Sequence, residues 1–351
     1  MEVKGDNIIF LLGAGASYEA KIPISYQMVN KIEELIMTNS KWKPFKDLYH
    51  YLKSSILYGD GIFGDFDKSF NIERLLIVIS EIEKRDKNIM YPFIGTWNIR
   101  LTDLAGKNFE NLNEFKELIS IKLNEWVKLK DYNQANYYEG FTSLKNEIGN
   151  LLKVFTLNYD LCFERVVGKD QNIEVGFNGT TKEWHYSNFD SIESKDFFLY
   201  KLHGSINWYL TKDKIRKLMI SDDPVETPEL IFGIEHKMTS TDPYFFFSSE
   251  FRKQCLDNET KLLICIGYSF SDEYINNIIS QAVLEKDETQ ILVVSSPSGN
   301  SKEIKKEISD KLNINEESII VETTGAKKFL LETMNKDYLA QYIHDSKDAP
   351  F

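Results

Sequence analysis

Cysteine is scarce in this chain of 351 residues, which contains only Cys162, Cys255 and Cys265. No two of them form a C-x-x-C pair, so the sequence offers neither a disulfide framework nor the four closely spaced ligands of a structural zinc site. The N-terminus lacks the pattern of a signal peptide, and no apolar run approaches the roughly 20 residues of a membrane span. We therefore expect a cytoplasmic, reduced protein that uses neither a membrane nor a metal ion.

Positively charged residues are also outnumbered by negatively charged ones. The chain has 42 Lys and Arg residues and 54 Asp and Glu residues, which gives a net charge of -12. A broad basic surface is therefore not expected, and with it direct binding to nucleic acid. A small anionic ligand remains compatible with this balance, since backbone amides bind phosphate without any net positive charge. Hydrophobic residues make up 42% of the chain, which is enough for a substantial folded core.

Apolar runs alternating with helical patterns predict an α/β fold, a Rossmann-like doubly wound parallel sheet with a helical insertion domain. The predicted strands cover residues 7–12, 152–157, 197–202, 261–266, 291–295 and 318–321. Helical spacing is found over residues 26–37, 71–82, 109–129 and 135–152, and 58–70 is typical of a loop. The expected domains are a nucleotide-binding unit of residues 1–38 and 151–343, an insertion of 39–150, and a flexible tail of 344–351.

A glycine-rich turn, Gly13-Ala14-Gly15-Ala16-Ser17, follows the first predicted strand. In a strand–turn–helix unit, glycine lets the backbone approach a pyrophosphate, and the helix N-terminus supplies amide donors. Tyr18 stands where the dinucleotide fingerprint would place a third glycine, which argues against a hydride-transfer enzyme. A plain strand-to-helix turn, with Ser17 capping the helix, explains the same residues equally well.

Three further strand ends carry polar clusters, at residues 156–160, 201–208 and 266–272. Ligands of open α/β sheets bind outside the carboxyl ends of the strands, so these clusters are expected to meet in one crevice. Each has a simpler structural explanation. Asn158 and Asp160 could cap a helix beginning near residue 161, His203 could be a structural histidine, and Asp272 has the chemistry of a helix N-cap.

The set of motifs resembles the sirtuin superfamily, and within it the bacterial sirtuin-like branch that lacks zinc. The matching segments are the glycine turn with Ile22-Pro23 after it, Asn71-Ile72-Glu73, Thr156-Leu157-Asn158-Tyr159-Asp160, His203-Gly204-Ser205 and Gly267-Tyr268-Ser269. The four zinc cysteines of deacylase sirtuins are missing, and the Asp-Phe-Arg that follows the proline in many deacylases is replaced by Ile24-Ser25-Tyr26. Both departures argue against removal of acyl groups from lysine.

The resemblance implies an NAD hydrolase, which takes NAD as its substrate and needs no metal. It assigns three catalytic residues: Asn158 would bind the nicotinamide ribose and orient water, His203 would be the general base, and Asp160 would orient Asn158 or the nicotinamide amide. The residues that it implies for NAD binding are Gly13, Ala14, Gly15, Ala16, Ser17, Pro23, Thr156, Gly267, Tyr268, Ser269, Gly325 and Ala326.

The same branch implies a biological role as an NAD-depleting effector in bacterial antiphage defence. By analogy we expect a homo-oligomer that works with a separate protein, for which a HerA-type ATPase is a candidate. Other functions remain open at this stage. They are an NAD- or ADP-ribose-binding regulatory subunit without catalysis, a sirtuin-type protein deacylase or ADP-ribosyltransferase, and a purely structural scaffold.

Overall fold

A computed structural model of the chain describes residues 3–65, 68–84, 98–191, 193–213, 216–226, 242–286 and 288–343, together with Pro228 and Leu230. The chain divides into two compact units, one of Met1–Ile22 with Lys128–Phe351 and one of Pro23–Val127. The insertion expected at residues 39–150 stays a prediction. The predicted flexible tail, 344–351, lies outside the described residues.

The larger unit contains a seven-stranded parallel sheet, which confirms the predicted fold class. Its strands in chain order are β1 (Ile8–Leu12), β2 (Leu152–Thr156), β3 (Ile173–Glu174), β4 (Phe197–Lys201), β7 (Leu262–Ile266), β8 (Gln290–Val294) and β9 (Ile319–Glu322). They lie in the order β3-β4-β2-β1-β7-β8-β9, and every neighbouring pair is parallel. The strands β5 (Trp208–Leu210) and β6 (Leu218–Ile220) form a separate antiparallel hairpin.

The central strands form where they do because they are rich in apolar residues, and β1 and β7 are apolar at every position. All five residues of β1, β4 and β7 are buried, as a parallel sheet covered on both faces requires. Aromatic packing supports the sheet on either side of β1 and β2. The rings of Phe10 and Phe141 meet edge to face at 5.1 Å, and those of Phe155 and Tyr200 stack at 4.5 Å.

The smaller unit is helical in its described residues. Its helices are α1 (Ser25–Thr38), α2 (Lys46–Phe63), α3 (Ile72–Glu83), α4 (Ile99–Ala105) and α5 (Glu110–Val127). Asn71 begins α3 by accepting a hydrogen bond from the backbone N–H of Arg74 at 3.0 Å. The loop predicted at 58–70 is wrong for its first part, since α2 continues to Phe63 and ends at Gly64, whose φ is 77°.

The remaining helices flank the sheet of the larger unit. They are α6 (Glu139–Ile148), α7 (Cys162–Val166), α8 (Tyr244–Leu256), α9 (Glu273–Glu285), α10 (Ser301–Leu312), α11 (Ala326–Lys328) and α12 (Lys336–Ala340). The helix predicted over 135–152 is split in the structure. A 3₁₀ segment, Tyr132–Tyr138, precedes α6, and Gly149 ends α6 before β2 begins. No helix among the described residues is long and apolar enough to cross a membrane.

Candidate active site at the carboxyl edge of the sheet

The polar segments singled out in the sequence all follow strands of the same parallel sheet. The glycine turn follows β1, Asn158 follows β2, His203 follows β4 and Gly267 follows β7. Because these strands are parallel, the segments lie along one edge of the sheet. The chain order reverses between β1 and β7, and such a switch point is where open α/β sheets bind ligands.

The turns after β1 and β7 are in direct backbone contact at this switch point. Gly13 donates its N–H to the carbonyl of Ile266 at 3.0 Å, and Gly15 donates to the carbonyl of Gly267 at 2.9 Å. A Cβ on Gly267, whose φ is 62°, would lie 2.2 Å from the backbone nitrogen of Ala16. The close approach of the two turns therefore requires glycine, whether or not a phosphate binds there.

Ser17 is part of the protein interior rather than a helix cap. It lies inside the 3₁₀ segment Ala14–Ala20, whose N-cap is Gly13, so the predicted capping role is wrong. Only 1% of Ser17 is exposed, and its hydroxyl donates to Oδ2 of Asp160 at 2.7 Å and shares a 2.9 Å hydrogen bond with the hydroxyl of Tyr138. These partners direct the hydroxyl toward a buried network.

Asn158 is held by three hydrogen bonds in the same network. Its backbone N–H donates to Oγ1 of Thr156 at 3.0 Å, and its Nδ2 donates to the carbonyl of Gly13 at 2.9 Å and to Oγ of Ser17 at 3.3 Å. The Gly13 carbonyl is an acceptor, so it fixes which end of the amide is Nδ2. Both side-chain bonds use Nδ2, and Oδ1 is the atom that can accept a hydrogen bond from a ligand.

The carboxylate of Asp160 stabilises this network through both of its oxygens. Its Oδ2 receives the hydroxyl of Ser17, and its Oδ1 receives the backbone N–H of Cys162 at 2.9 Å, near the start of α7. The N-cap of α7 is Leu161, so neither Asn158 nor Asp160 is the cap that the sequence suggested, although Asp160 binds the first amide of the helix. The contact with Ser17 connects Asp160 to Asn158. Lys201, only 1% exposed, donates to the backbone carbonyl of Asp160 and to Oε1 of Glu164.

The thiol of Cys162 is unsuited to act as a nucleophile. Burial raises its pKa well above the usual value, and the carboxylate of Asp160 adds to this effect. Burial likewise raises the pKa of the Tyr138 hydroxyl. Both groups therefore stay protonated at neutral pH and serve the network as neutral side chains.

His203 is buried and lies beside a carboxylate. Its Nε2 is 3.3 Å from Oδ2 of Asp272, and its ring centre is 6.2 Å from that of Tyr159. Asp272 also accepts hydrogen bonds from the backbone amides of Tyr274 and Ile275, which confirms its predicted chemistry as an N-cap, here of α9.

Residues 152–316 match the family model described as a SIR2-like domain. The matched segment includes Asn158, His203 and Gly267, and it begins after the glycine turn. The match covers less than half of the chain. No curated protein matches the chain significantly. A solved structure with similarity to this chain is described as Sir2Tm bound to a propionylated peptide, with 13% identity, coverage of 92% of this chain and 90% of that chain, and a TM-score of 0.38.

Two other residues that the resemblance assigns to NAD binding have protein partners of their own. The Tyr268 hydroxyl donates to Oδ1 of Asn276 at 2.8 Å. The exposed hydroxyl of Ser269 donates to that of Ser271 at 3.0 Å. Their contacts show how the turn after β7 is stabilised, and a contribution of either residue to NAD binding stays a prediction.

The turn before α11 also reaches this edge of the sheet. Gly325 donates its N–H to the carbonyl of Ser295 at 2.9 Å and has a φ of 79°, and Ala326 begins α11 directly after it. Glu19, at the end of the glycine turn's 3₁₀ segment, accepts the backbone N–H of Lys327 at 2.6 Å. The turn is thereby joined to the glycine-rich segment, which the sequence did not reveal.

Pro23 belongs to the helical unit, and its role in NAD binding stays a prediction. No group of three or more His, Cys, Asp or Glu residues within the described part of the chain is arranged to hold a metal ion.

The sequence interpretation missed two supporting residues of the network, for different reasons. Lys201 carries a usable signal, because a lysine that ends the apolar run of β4 must find buried partners for its ammonium group. Tyr138 carries none, since its hydroxyl meets Ser17 across 121 residues of sequence.

Proposed function

We propose that this protein is an NAD hydrolase that cleaves the bond between nicotinamide and ribose and releases nicotinamide and ADP-ribose. The observation that carries the proposal is the fixed amide of Asn158, with its acceptor atom available, at the edge of the sheet where His203 is paired with a carboxylate. The SIR2-like match supports NAD as the substrate.

The reaction needs little acid catalysis, because the nicotinamide ring of NAD already carries a positive charge. When the bond between its nitrogen and C1′ of the ribose breaks, the electron pair goes to that nitrogen and the ring becomes neutral. The transition state has oxocarbenium character, as in glycoside hydrolysis. The oxygen of water bonds to C1′, and one proton of that water must be removed.

In this proposal Asn158 positions the ribose and the attacking water. Its Nδ2 is held by Gly13 and Ser17, so its Oδ1 offers an acceptor that does not have to reorganise when a hydroxyl binds. Asp160 acts through Ser17 and contributes to position rather than to proton transfer. His203 takes the proton, either from water or from a ribose hydroxyl, as the general base.

The glycine turn has one feature that favours binding of the NAD diphosphate and one that limits it. Gly13 and Gly15 present no side chains, and the 3₁₀ segment begins at Ala14 with amides near the edge of the sheet. The amides of Gly13, Gly15 and Ala16 are already donated to protein carbonyls. We therefore propose that the diphosphate contact relies on the other amides of the turn.

The biological proposal rests on the resemblance alone. We propose an NAD-depleting effector of antiphage defence that forms a homo-oligomer and acts with a HerA-type ATPase. Light scattering after size exclusion tests the oligomer, and a monomer at micromolar concentration would count against it. Co-expression with a candidate ATPase tests the partner by joint elution.

The direct test is release of nicotinamide from NAD by the purified protein, alone and with any partner found. We expect Asn158→Ala and His203→Ala each to reduce the rate by about a hundredfold or more. His185→Ala is the matched control, because His185 pairs with the neighbouring Ser187 in an exposed turn. Binding of NAD without release would favour a regulatory binding module, and wild-type rates in both variants would show that the site is wrongly assigned.

A further inference from the structure

The carboxylate of Asp272 makes two different kinds of contact with its two oxygens. Oδ1 accepts the backbone amides of Tyr274 and Ile275, at 3.1 and 3.2 Å, and so caps α9. Oδ2 lies 3.3 Å from Nε2 of His203. The side chains of His203 and Asp272 are 8% and 13% exposed, so the pair is largely shielded from water.

The capping bonds decide how the carboxylate faces the histidine. Two amide donors hold Oδ1, which fixes the plane of the carboxyl group and leaves Oδ2 directed toward His203. A carboxylate oxygen only accepts hydrogen bonds, so the nitrogen facing it must carry a proton. The 3.3 Å distance is longer than the roughly 2.7–2.9 Å of a short charge-assisted bond, so the contact is a weak hydrogen bond.

We propose that Asp272 is a positioning residue for His203 and that it holds the neutral ring with its proton on Nε2. In that form the lone pair is on Nδ1, which is the nitrogen that acts as the base. The ring is fixed in orientation and tautomer before substrate arrives. The catalytic part of this inference rests on the proposed function, whereas the tautomer is a property of the protein alone.

The charge of Asp272 has two consequences, one for the base and one for the helix. The carboxylate of Asp272 stabilises the imidazolium that forms when the base takes its proton. The N-terminus of α9, a helix of 13 residues, lies at the same carboxylate, and its dipole stabilises the negative charge of Asp272. Asp272 thus lies between the helix end and the base and stabilises both.

The first measurement is the protonation pattern of the His203 ring, from ¹⁵N-detected side-chain NMR of the full chain, assigned with His203→Gln. We expect a pyrrole-type signal for Nε2 and a pyridine-type signal for Nδ1 at a pH where the ring is neutral. The reverse pattern would overturn the proposal without any activity measurement.

Asp272→Asn is the decisive variant, since it keeps the cap and changes only the atom that faces the ring. Asparagine caps helices as well as aspartate does, and its Oδ1 takes the two amides, so Nδ2 is turned toward Nε2 of His203. A donor now faces that nitrogen, and the tautomer should invert. Where a serine hydrolase triad undergoes the same change, kcat falls about 10⁴-fold, and we expect at least about a tenfold fall here with a smaller change in KM.

Two controls separate positioning from capping. Asp272→Ser retains a capping hydroxyl but does not present a carboxylate, so we expect a mixture of tautomers and an intermediate rate. Asn300→Ala removes the N-cap of α10, where Asn300 accepts the N–H of Lys302, and should lower stability without altering the His203 signals. A purely structural role for Asp272 predicts instead that Asp272→Asn keeps the wild-type tautomer and rate.

The results also distinguish this inference from the proposed function. An active wild-type protein with an unaffected Asp272→Asn variant would refute the positioning role and leave NAD hydrolysis standing. The expected tautomers without nicotinamide release, with or without partner, would refute the hydrolase while leaving the His203–Asp272 pair as described.

Discussion

Substitution of Gly267 by alanine should separate two ways in which a glycine can be required. Gly267 has a φ of 62°, and a Cβ there would lie 2.2 Å from the nitrogen of Ala16 and 2.3 Å from the carbonyl carbon of Gly15. Ordinary van der Waals contact begins at 3.4 Å. Both obstructing atoms belong to backbone, so no side chain can rotate away and the two turns must separate.

The expected cost has two parts. Left-handed backbone costs a residue with a Cβ about 1–2 kcal/mol, of which the reduced entropy of the unfolded chain returns about 0.4–1 kcal/mol. Overpacking against fixed neighbours adds about 1–3 kcal/mol. Gly267→Ala should therefore lower the free energy of unfolding by about 2–4 kcal/mol in all.

Gly149 provides the matched control within the same unit. It ends α6 with a φ of 77°, and a Cβ there would meet nothing within 4 Å. Gly149→Ala should cost only the conformational part, about 1 kcal/mol. Urea denaturation of both variants measures the difference, and equal losses within about 0.5 kcal/mol would refute the idea that contact between the turns requires glycine at 267.

Ser17→Ala should reduce kcat more than it raises KM and should cost about 1–3 kcal/mol of stability, because Oδ2 of Asp160 loses its hydroxyl donor and Nδ2 of Asn158 keeps only the carbonyl of Gly13 as acceptor; unchanged kinetics would show that the network does not position Asn158. The pKa of Asp196 is lowered, since hydrogen bonds from a backbone amide and a lysine outweigh burial, which acts to raise it. Its contribution of about 0.5–1 kcal/mol should thus be present at neutral pH and disappear below about pH 4, where wild type and Asp196→Asn should become equally stable in pH-dependent denaturation. Finally, all three cysteines are buried, and burial raises the pKa of each thiol, so a thiol reagent at neutral pH should label them only after unfolding; rapid labelling of the native protein would contradict their burial.

Most strands could be predicted from the sequence, because strands of a parallel sheet that is buried on both faces are nearly continuous apolar runs. Runs such as β1 and β7 are apolar at every position, and a polar residue there would be buried without a partner. The two-residue strand β3 and the β5–β6 hairpin were missed, since they are too short to show a period. The start of the predicted loop at 58–70 failed because glycines that normally interrupt helices are tolerated near the end of α2.

The sequence predicts which strand ends carry the candidate site, but it does not predict the contacts between the residues there. Polar residues directly after buried strands must lie at the carboxyl edge, so the common location of Asn158 and His203 follows from the order of elements. The hydrogen-bond partners of these two residues cannot be inferred from the order of elements. Asp272 could be identified as a cap from its own sequence, but its contact with His203 joins residues 69 positions apart and depends on how β4 and β7 are placed.

Ser17 shows most clearly why a motif does not determine the role of its residues. A serine in a glycine-rich turn can cap a helix, bind phosphate or join an interior network, and its hydroxyl is chemically suited to all three. Its actual role is decided by the nearest strong acceptor, which is the carboxylate of Asp160 at 2.7 Å. Once that bond forms, the hydroxyl oxygen can receive Nδ2 of Asn158, and the amide is turned with Oδ1 available. The glycine turn therefore orients the proposed catalytic amide through Ser17 and the carbonyl of Gly13, and this contribution holds whatever share of the diphosphate the turn also binds.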